Sequence, residues 1–186
     1  MAGKRDQAGK RDQIVTAALR RFRTSGVGGT TLHDVASAAG VPLGNLYYYF
    51  KTRDDLVLAA LDACEQELQV VLARLAPLSG AEWLGAYFEW LLSGSQAAAE
   101  LGCPFGTLAT ELRALGDSAA GRAAQIVRTY REALRSAVQA LGLSPEAGDD
   151  VFMAVQGAYV VSRVSGEAAL FGHSMQRLRY RLLGEA

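Results

Sequence analysis

Three consecutive tyrosines, Tyr47, Tyr48 and Tyr49, are followed at once by two cations, Lys51 and Arg53. Phenol O–H groups and cations at this density suit phosphate oxygens, which accept hydrogen bonds whatever the base sequence. Just ahead lie Gly44 and Asn45. Gly44 lets a backbone approach a groove closely, and Asn45 carries an amide that donates and accepts against a base edge. Thr30 and Thr31 offer hydroxyls ahead of another helix, whose first N–H groups attract phosphate, as do those of the helix that follows Lys51 and Arg53. The plain alternative is a tyrosine-rich packing helix beside a solvated charge pair.

Short helices must hold these groups. Leu43, Leu46, Tyr47 and Phe50 recur at i, i+3, i+4 and i+7 and can all face inward, which turns Gly44, Asn45 and Tyr48 outward with Tyr49 at the edge. Pro42 suits the first position of that helix. The helix before it carries Leu32, Val35, Ala36 and Ala39 on one face, and Gly40 supplies the turn between the two. Thr31-x-x-Asp34 reads as a capping box with Asp in place of Glu. A first helix with Ile14, Ala18 and Phe22 in line ends at Gly26. Thr52 caps a long fourth helix carrying Val57, Leu61, Cys64, Leu68, Val71 and Leu75. Two helices joined by Ala39-Gly40-Val41 form a helix-turn-helix.

Charge supports the phosphate reading. Net charge over the 186 residues is zero, yet residues 1–53 hold nine cations against three anions, leaving the rest at −6. A basic module on an acidic body is the footprint of nucleic-acid binding at one end. The segment Ala2–Gln7, AGKRDQ, recurs at Ala8–Gln13. The first copy reads as a flexible basic tail over residues 1–9, or as a duplication with no role. No apolar run is long enough to span a bilayer, and the charged N-terminus lacks a signal-peptide core, so a cytoplasmic, nucleoid-associated protein without membrane contact is expected. Cys64, Cys103, His33 and His173 have no metal-ligand spacing, and neither a metal nor a cofactor is expected.

Residues 14–56 closely resemble the DNA-binding domain of the tetracycline-repressor (TetR) family. The resemblance rests on Ile14, Ala17-Ala18, Phe22, Gly26, Thr30-Thr31, Val35-Ala36, Ala39-Gly40-Val41, Gly44 through Lys51, and Leu56. It implies a homodimer on double-stranded DNA at a palindromic operator, a divergent ligand-binding domain, and repression relieved by an unknown small-molecule effector. By the same resemblance Thr31, Leu43, Gly44, Asn45, Tyr47, Tyr48, Tyr49 and Arg53 stand where DNA is contacted. Leu43 departs from the long polar side chain common there and can only pack or touch a thymine methyl. Tyr49 replaces a common histidine and keeps a phosphate contact.

Beyond residue 53 the chain reads as helical throughout, with no strand alternation. The expectation is an all-α fold of about nine helices, with a DNA-binding domain over 1–53 and a ligand-binding and dimerisation domain over 54–186. Leu101 through Leu112 resembles a segment found in one branch of the family's C-terminal domains. Trp83, Tyr87, Phe105 and Leu108 are candidates to line an apolar pocket, or are ordinary core. Gln156 and Tyr159 are polar handles in an otherwise apolar helix and need partners if buried. Cys103, before Pro104 at an expected helix start, is a possible redox or electrophile sensor with a lowered thiol pKa; the simpler reading is a small buried hydrophobe. Val151, Phe152, Val155, Tyr159 and Val160 on one helix, and Phe171, Met175, Leu178 and Leu182 on the last, suit a four-helix interface with a twofold mate.

The function expected is therefore a ligand-responsive transcriptional repressor that is not an enzyme. Two alternatives stand beside it. One is a regulator that senses oxidants or electrophiles through Cys103; the other is an architectural DNA-binding protein without an effector. A helical enzyme with an acquired DNA-binding module finds no clustered catalytic residues to support it.

Overall fold

Glycines, capping boxes and one contiguous apolar cluster set the architecture. The computed structural model describes residues 2–184, with side chains from Gly9 onward. Ten helices are present among the described residues: α1 (Ala2–Ser25), α2 (Leu32–Ala38), α3 (Leu43–Tyr49), α4 (Arg53–Leu75), α5 (Gly80–Ser93), α6 (Ser95–Leu101), α7 (Gly106–Ala114), α8 (Ala120–Gln139), α9 (Pro145–Ser165) and α10 (Ala168–Leu183). No strand occurs among them. Backbone helix runs from Ala2 without a break, so residues 2–9 of the expected tail over 1–9 belong to α1, and Met1 lies outside the described residues. The side chains of 1–8 lie outside the described residues.

The N-terminal elements are built as the residue pattern demands. The Thr31 hydroxyl accepts from Asp34 N–H at 3.1 Å, and Asp34 Oδ2 accepts from Thr31 N–H at 2.9 Å. Thr52 and Asp55 repeat this reciprocal cap at the start of α4. Each cap contributes on the order of 1 kcal/mol. Gly40 adopts φ +64, a left-handed conformation that disfavours residues with a Cβ, and this turns the chain between α2 and α3. Pro42 is the N-cap of α3, one residue earlier than expected. Gln13 Nε2 donates to the Ala39 carbonyl at 2.8 Å, tying α1 to the same turn.

One apolar cluster runs from Ile14 in α1 to Met175 in α10. α4 joins the two ends of the molecule: Leu56, Val57, Ala60, Leu61, Cys64, Leu68 and Leu75 are all buried along it. Around α5 the core is aromatic. Trp83 stacks on Tyr87 at 5.3 Å, Tyr87 meets Tyr130 edge-on at 6.2 Å, and Tyr130 in turn meets Phe105 and Phe152. The Tyr87 and Tyr130 hydroxyls hydrogen-bond to each other, so each buried phenol is satisfied by the other. At the α8–α9 seam Asp149 accepts from both Arg131 and Arg135, at 2.6 and 2.8 Å. Among the described residues no helix is long and apolar enough to cross a membrane.

Candidate nucleic-acid interface and effector cavity

Leu46 and Phe50 anchor α3 in the core, with Phe50 also lying under the Arg11 guanidinium at 5.3 Å. That fixes the outer face. Gly44 and Asn45 are exposed, Tyr48 is 64% exposed and Tyr49 is half-buried, edge-on to Tyr48 at 5.0 Å. Tyr47 is expected from its spacing to face inward, but it is 44% exposed and stands with the outer set. A seven-residue helix cannot bury four residues of one stripe against a single neighbouring face. Leu43 is half-buried against the core and offers little beyond its edge.

The flanking groups divide. Thr31 is exposed, and its hydroxyl donates to Asp34 Oδ2 at 2.7 Å; this bond holds the Asp34 carboxyl below its ordinary range. Thr30 is not part of the face. It is buried, and its hydroxyl donates to the Gly26 carbonyl at 2.6 Å, because the loop after α1 turns it inward. Lys51 is exposed, with Nζ donating to the Tyr47 carbonyl at 2.7 Å, so its charge sits at the C-terminal end of α3. Arg53 is half-buried with a buried, unpartnered Nη2. The surface thus carries one exposed amide, three phenols and two cations on and around a short helix.

A cavity of about 820 Å³ lies between α1, the α6–α7 turn, α7, α8 and α9. Its size is that of a drug-sized ligand site. Of the sequence candidates, Cys103, Gln156 and Tyr159 line it. Trp83, Tyr87, Phe105 and Leu108 do not; they are buried core, the three aromatics packing on one another or on Tyr130 of α8. The walls come largely from residues with no sequence signal, such as Gly106, Ala109, Ala120 and Ala124. Two wall residues, Phe22 and Gly26, belong to α1 and the loop that follows it.

Three hydrogen bonds join α1 and its following loop to this cavity's rim. Arg23 Nη2 donates to the Gly102 carbonyl at 2.9 Å, Arg163 Nη2 donates to the Arg23 carbonyl, and Gly28 N–H donates to Glu111 Oε1 at 3.0 Å. Gly102, at φ 70 and ψ −165, adopts a backbone conformation that is essentially restricted to glycine. A Cβ there would lie 3.2 Å from the Arg163 side chain. Cys103 is not the low-pKa thiol anticipated. Burial pushes it up, and the Gly106 N–H at 3.3 Å offsets this only in part. α7 begins at Gly106, beyond the position that would favour a thiolate. Cys64 is likewise pushed up, to about 12.

Residues 14–60 match the family model for bacterial regulatory proteins of the tetR family. An uncharacterised HTH-type transcriptional regulator in the dhlA 5′ region of Xanthobacter autotrophicus is 37% identical over 73 residues, 39% of this chain and 36% of that one. The HTH-type transcriptional regulator TtgR of Pseudomonas putida is 45% identical over 56 residues, 30% of this chain and 27% of that one. These matches thus span about a third or less of the relatives' length. A crystal structure of a TetR-family transcriptional regulator from Agrobacterium tumefaciens superposes with a TM-score of 0.81 at 23% identity, covering 95% of this chain and 98% of that one, which extends the likeness of fold to the body.

Residues 14–60 are thus a TetR-family DNA-binding domain. Within this TetR-family fold the expected dimer residues need correction. Val151, Phe152, Val155, Tyr159, Phe171 and Met175 are buried in the subunit's own core, and Tyr159 packs on Phe171 at 4.6 Å. Leu178 and Leu182 are half-buried. Of the α9 residues expected there, only Val160 is exposed, and it borders the cavity together with Val164; the unpartnered apolar stripe is another face of the same helix, Met153, Gly157 and Val161. On α10, Tyr180 is exposed nearby in sequence to Arg177 and Arg181. A groove of about 360 Å³ between α9 and α10 includes Gly157, Val161 and Leu178. Among the described residues no cluster of His, Cys, Asp or Glu is arranged to hold a metal.

Proposed function

We propose that this chain is a ligand-responsive transcriptional repressor acting as a homodimer on a palindromic double-stranded operator, and that it works by binding and not by catalysis. The observation that carries this reading is the direct contact between α1 and the cavity: Phe22 and Gly26 of the helix-turn-helix unit form part of the wall. Residues 1–53 serve as the DNA-binding unit and 54–186 as the effector and dimer body. The DNA contacts fall to Thr31, Gly44, Asn45, Tyr47, Tyr48, Tyr49, Lys51 and Arg53, with Leu43 at the margin; the phenols and cations grip phosphate, and Asn45 reads a base edge. The α9 stripe of Met153, Gly157 and Val161 meets its twofold equivalent. The protein so built works in the cytoplasm at the nucleoid.

A small molecule releases DNA only by binding the DNA-incompetent arrangement more tightly. Selection of bound duplexes from a random library tests the reading. The expected product is a palindrome whose half-sites are spaced by a helical turn or a multiple of it. Enrichment of no sequence, or of a single non-repeated half-site, would count against it.

A further inference from the structure

The polar groups facing the cavity point to the chemistry of its occupant, on the reading above that this cavity is the effector site. Most of the wall is apolar, including Phe22, Val127, Phe152 and Val160. The charged side chains on it are three arginines, Arg113, Arg128 and Arg163, against one carboxylate, Glu111, whose Oε1 already accepts from Gly28 N–H. Gln156 Nε2 is buried and makes no well-formed hydrogen bond; the thiol of Cys103 beside it is a weak acceptor. An unsatisfied buried donor calls for an acceptor. Gln156 and Arg163 both reach the Gly102–Gly106 turn. A Cβ on Gly106 would lie 2.9 Å from Gln156 Oε1, and one on Gly102 would lie 3.2 Å from Arg163 Nη1. The absence of side chains on these two glycines leaves the donors together at one end of an apolar chamber.

We propose that the effector is an apolar molecule bearing one carboxylate, that the carboxylate seats against the Gly102–Gly106 turn between Gln156 and Arg163, and that it draws Arg163 off the carbonyl of Arg23. Arg163 has five N–H donors, and its bond in this structure is to a neutral carbonyl. A carboxylate is the stronger acceptor for a guanidinium, and can take it in a two-point fork. The Arg23 carbonyl belongs to the last turn of α1, where Gly26 N–H donates to the Phe22 carbonyl at 3.0 Å. Removing Arg163 from that turn loosens the end of α1 and its hold on the body. An amine-bearing ligand would instead meet three arginines and find its one anion engaged.

Titration calorimetry on the full-length wild-type protein tests the ligand class without DNA. The probes are matched acids, primary amides and amines on naphthyl, biphenyl and decyl bodies. On at least one body the acid is expected to bind about tenfold tighter than its amide, with the amine weaker still. Arg163→Gln should bring the acid and amide to similar affinity, while Gln156→Leu should weaken both. Thermal melts identify a variant that fails to fold; in that event Arg163→Lys, which keeps the charge and loses the fork, should show a reduced acid preference. Hydrogen exchange at residues 23–28 should quicken on saturation with the acid. Amines binding as well as acids, no binding on any body at millimolar concentration, an undiminished acid preference in Arg163→Gln, or unchanged exchange would each overturn the proposal. None of these outcomes bears on whether α3 binds an operator, which the DNA selection decides separately.

Discussion

Replacing Met153 and Val161 together by serine separates the exposed stripe of α9 from the buried one. Their exposures of 63% and 53% define the apolar surface that a mate can cover. Fully burying either side chain contributes about 2 kcal/mol, so covering the exposed part contributes about 1.2 kcal/mol per residue. In a twofold interface every substitution counts twice, giving a ceiling of about 5 kcal/mol for the pair. Half coverage leaves about 2.5 kcal/mol, a dimer dissociation constant raised by about 70-fold. Serine adds no charge, so the neighbouring Arg177 and Arg181 of the α9–α10 groove gain no new ionic partner. Sedimentation equilibrium across a concentration series reads the change, and thermal melts of the diluted variant check that each subunit stays folded. Val155→Ser makes the contrasting control. At 0% exposure it should lower the melting temperature without selectively weakening association. An unchanged dissociation constant for the double variant, or a Val155→Ser protein that folds normally but cannot dimerise, would refute the assignment of faces.

On DNA, Asn45→Ala should relax discrimination at one base pair by about 1–3 kcal/mol, while Tyr48→Phe with Lys51→Ala should weaken all sequences alike; affinity measured on single-base operator variants distinguishes the two. At the α8–α9 seam Arg131 and Arg135 hold the Asp149 carboxyl below the usual 3.8. A depressed carboxylate stabilises the fold above its unfolded pKa and loses that contribution as pH falls through the folded value, so denaturant midpoints of wild type and Asp149→Asn should converge below pH 3.8 and separate at neutral pH. Cys64 and Cys103 are both buried with raised thiol pKa, so iodoacetamide at neutral pH should modify them only after denaturation; rapid native alkylation of Cys103, read by mass spectrometry, would revive it as a sensor.

The N-terminal elements were legible because local signals determine them. Thr31 with Asp34, Gly40, and Thr52 with Asp55 each specify a boundary through their own backbone chemistry, and each boundary is found there. Faces were harder to read. α9 is apolar nearly all round between Val151 and Val164, so periodicity cannot distinguish the stripe toward α8 from the stripe toward solvent. Tyr47 shares its spacing with Leu46 and Phe50 but lies beyond the edge of what one short helix can bury. The cavity was least legible of all. A void is made where side chains are absent, and Gly102, Gly106 and Ala124 carry no pattern that announces one. Their partner residues, Gln156 and Tyr159, were visible because polar groups inside an apolar helix are conspicuous.

Phe22 and Gly26 give the cavity a wall that belongs to the reading head. A hybrid regulator made by exchanging the first 53 residues with those of a relative would therefore transplant part of the sensor along with the address. Under the proposed function, operator choice and ligand choice would not be separable cassettes in this molecule. Changing a wall side chain to admit a new ligand also changes the seating of the helix that supports α3, and divergence in either property constrains the other.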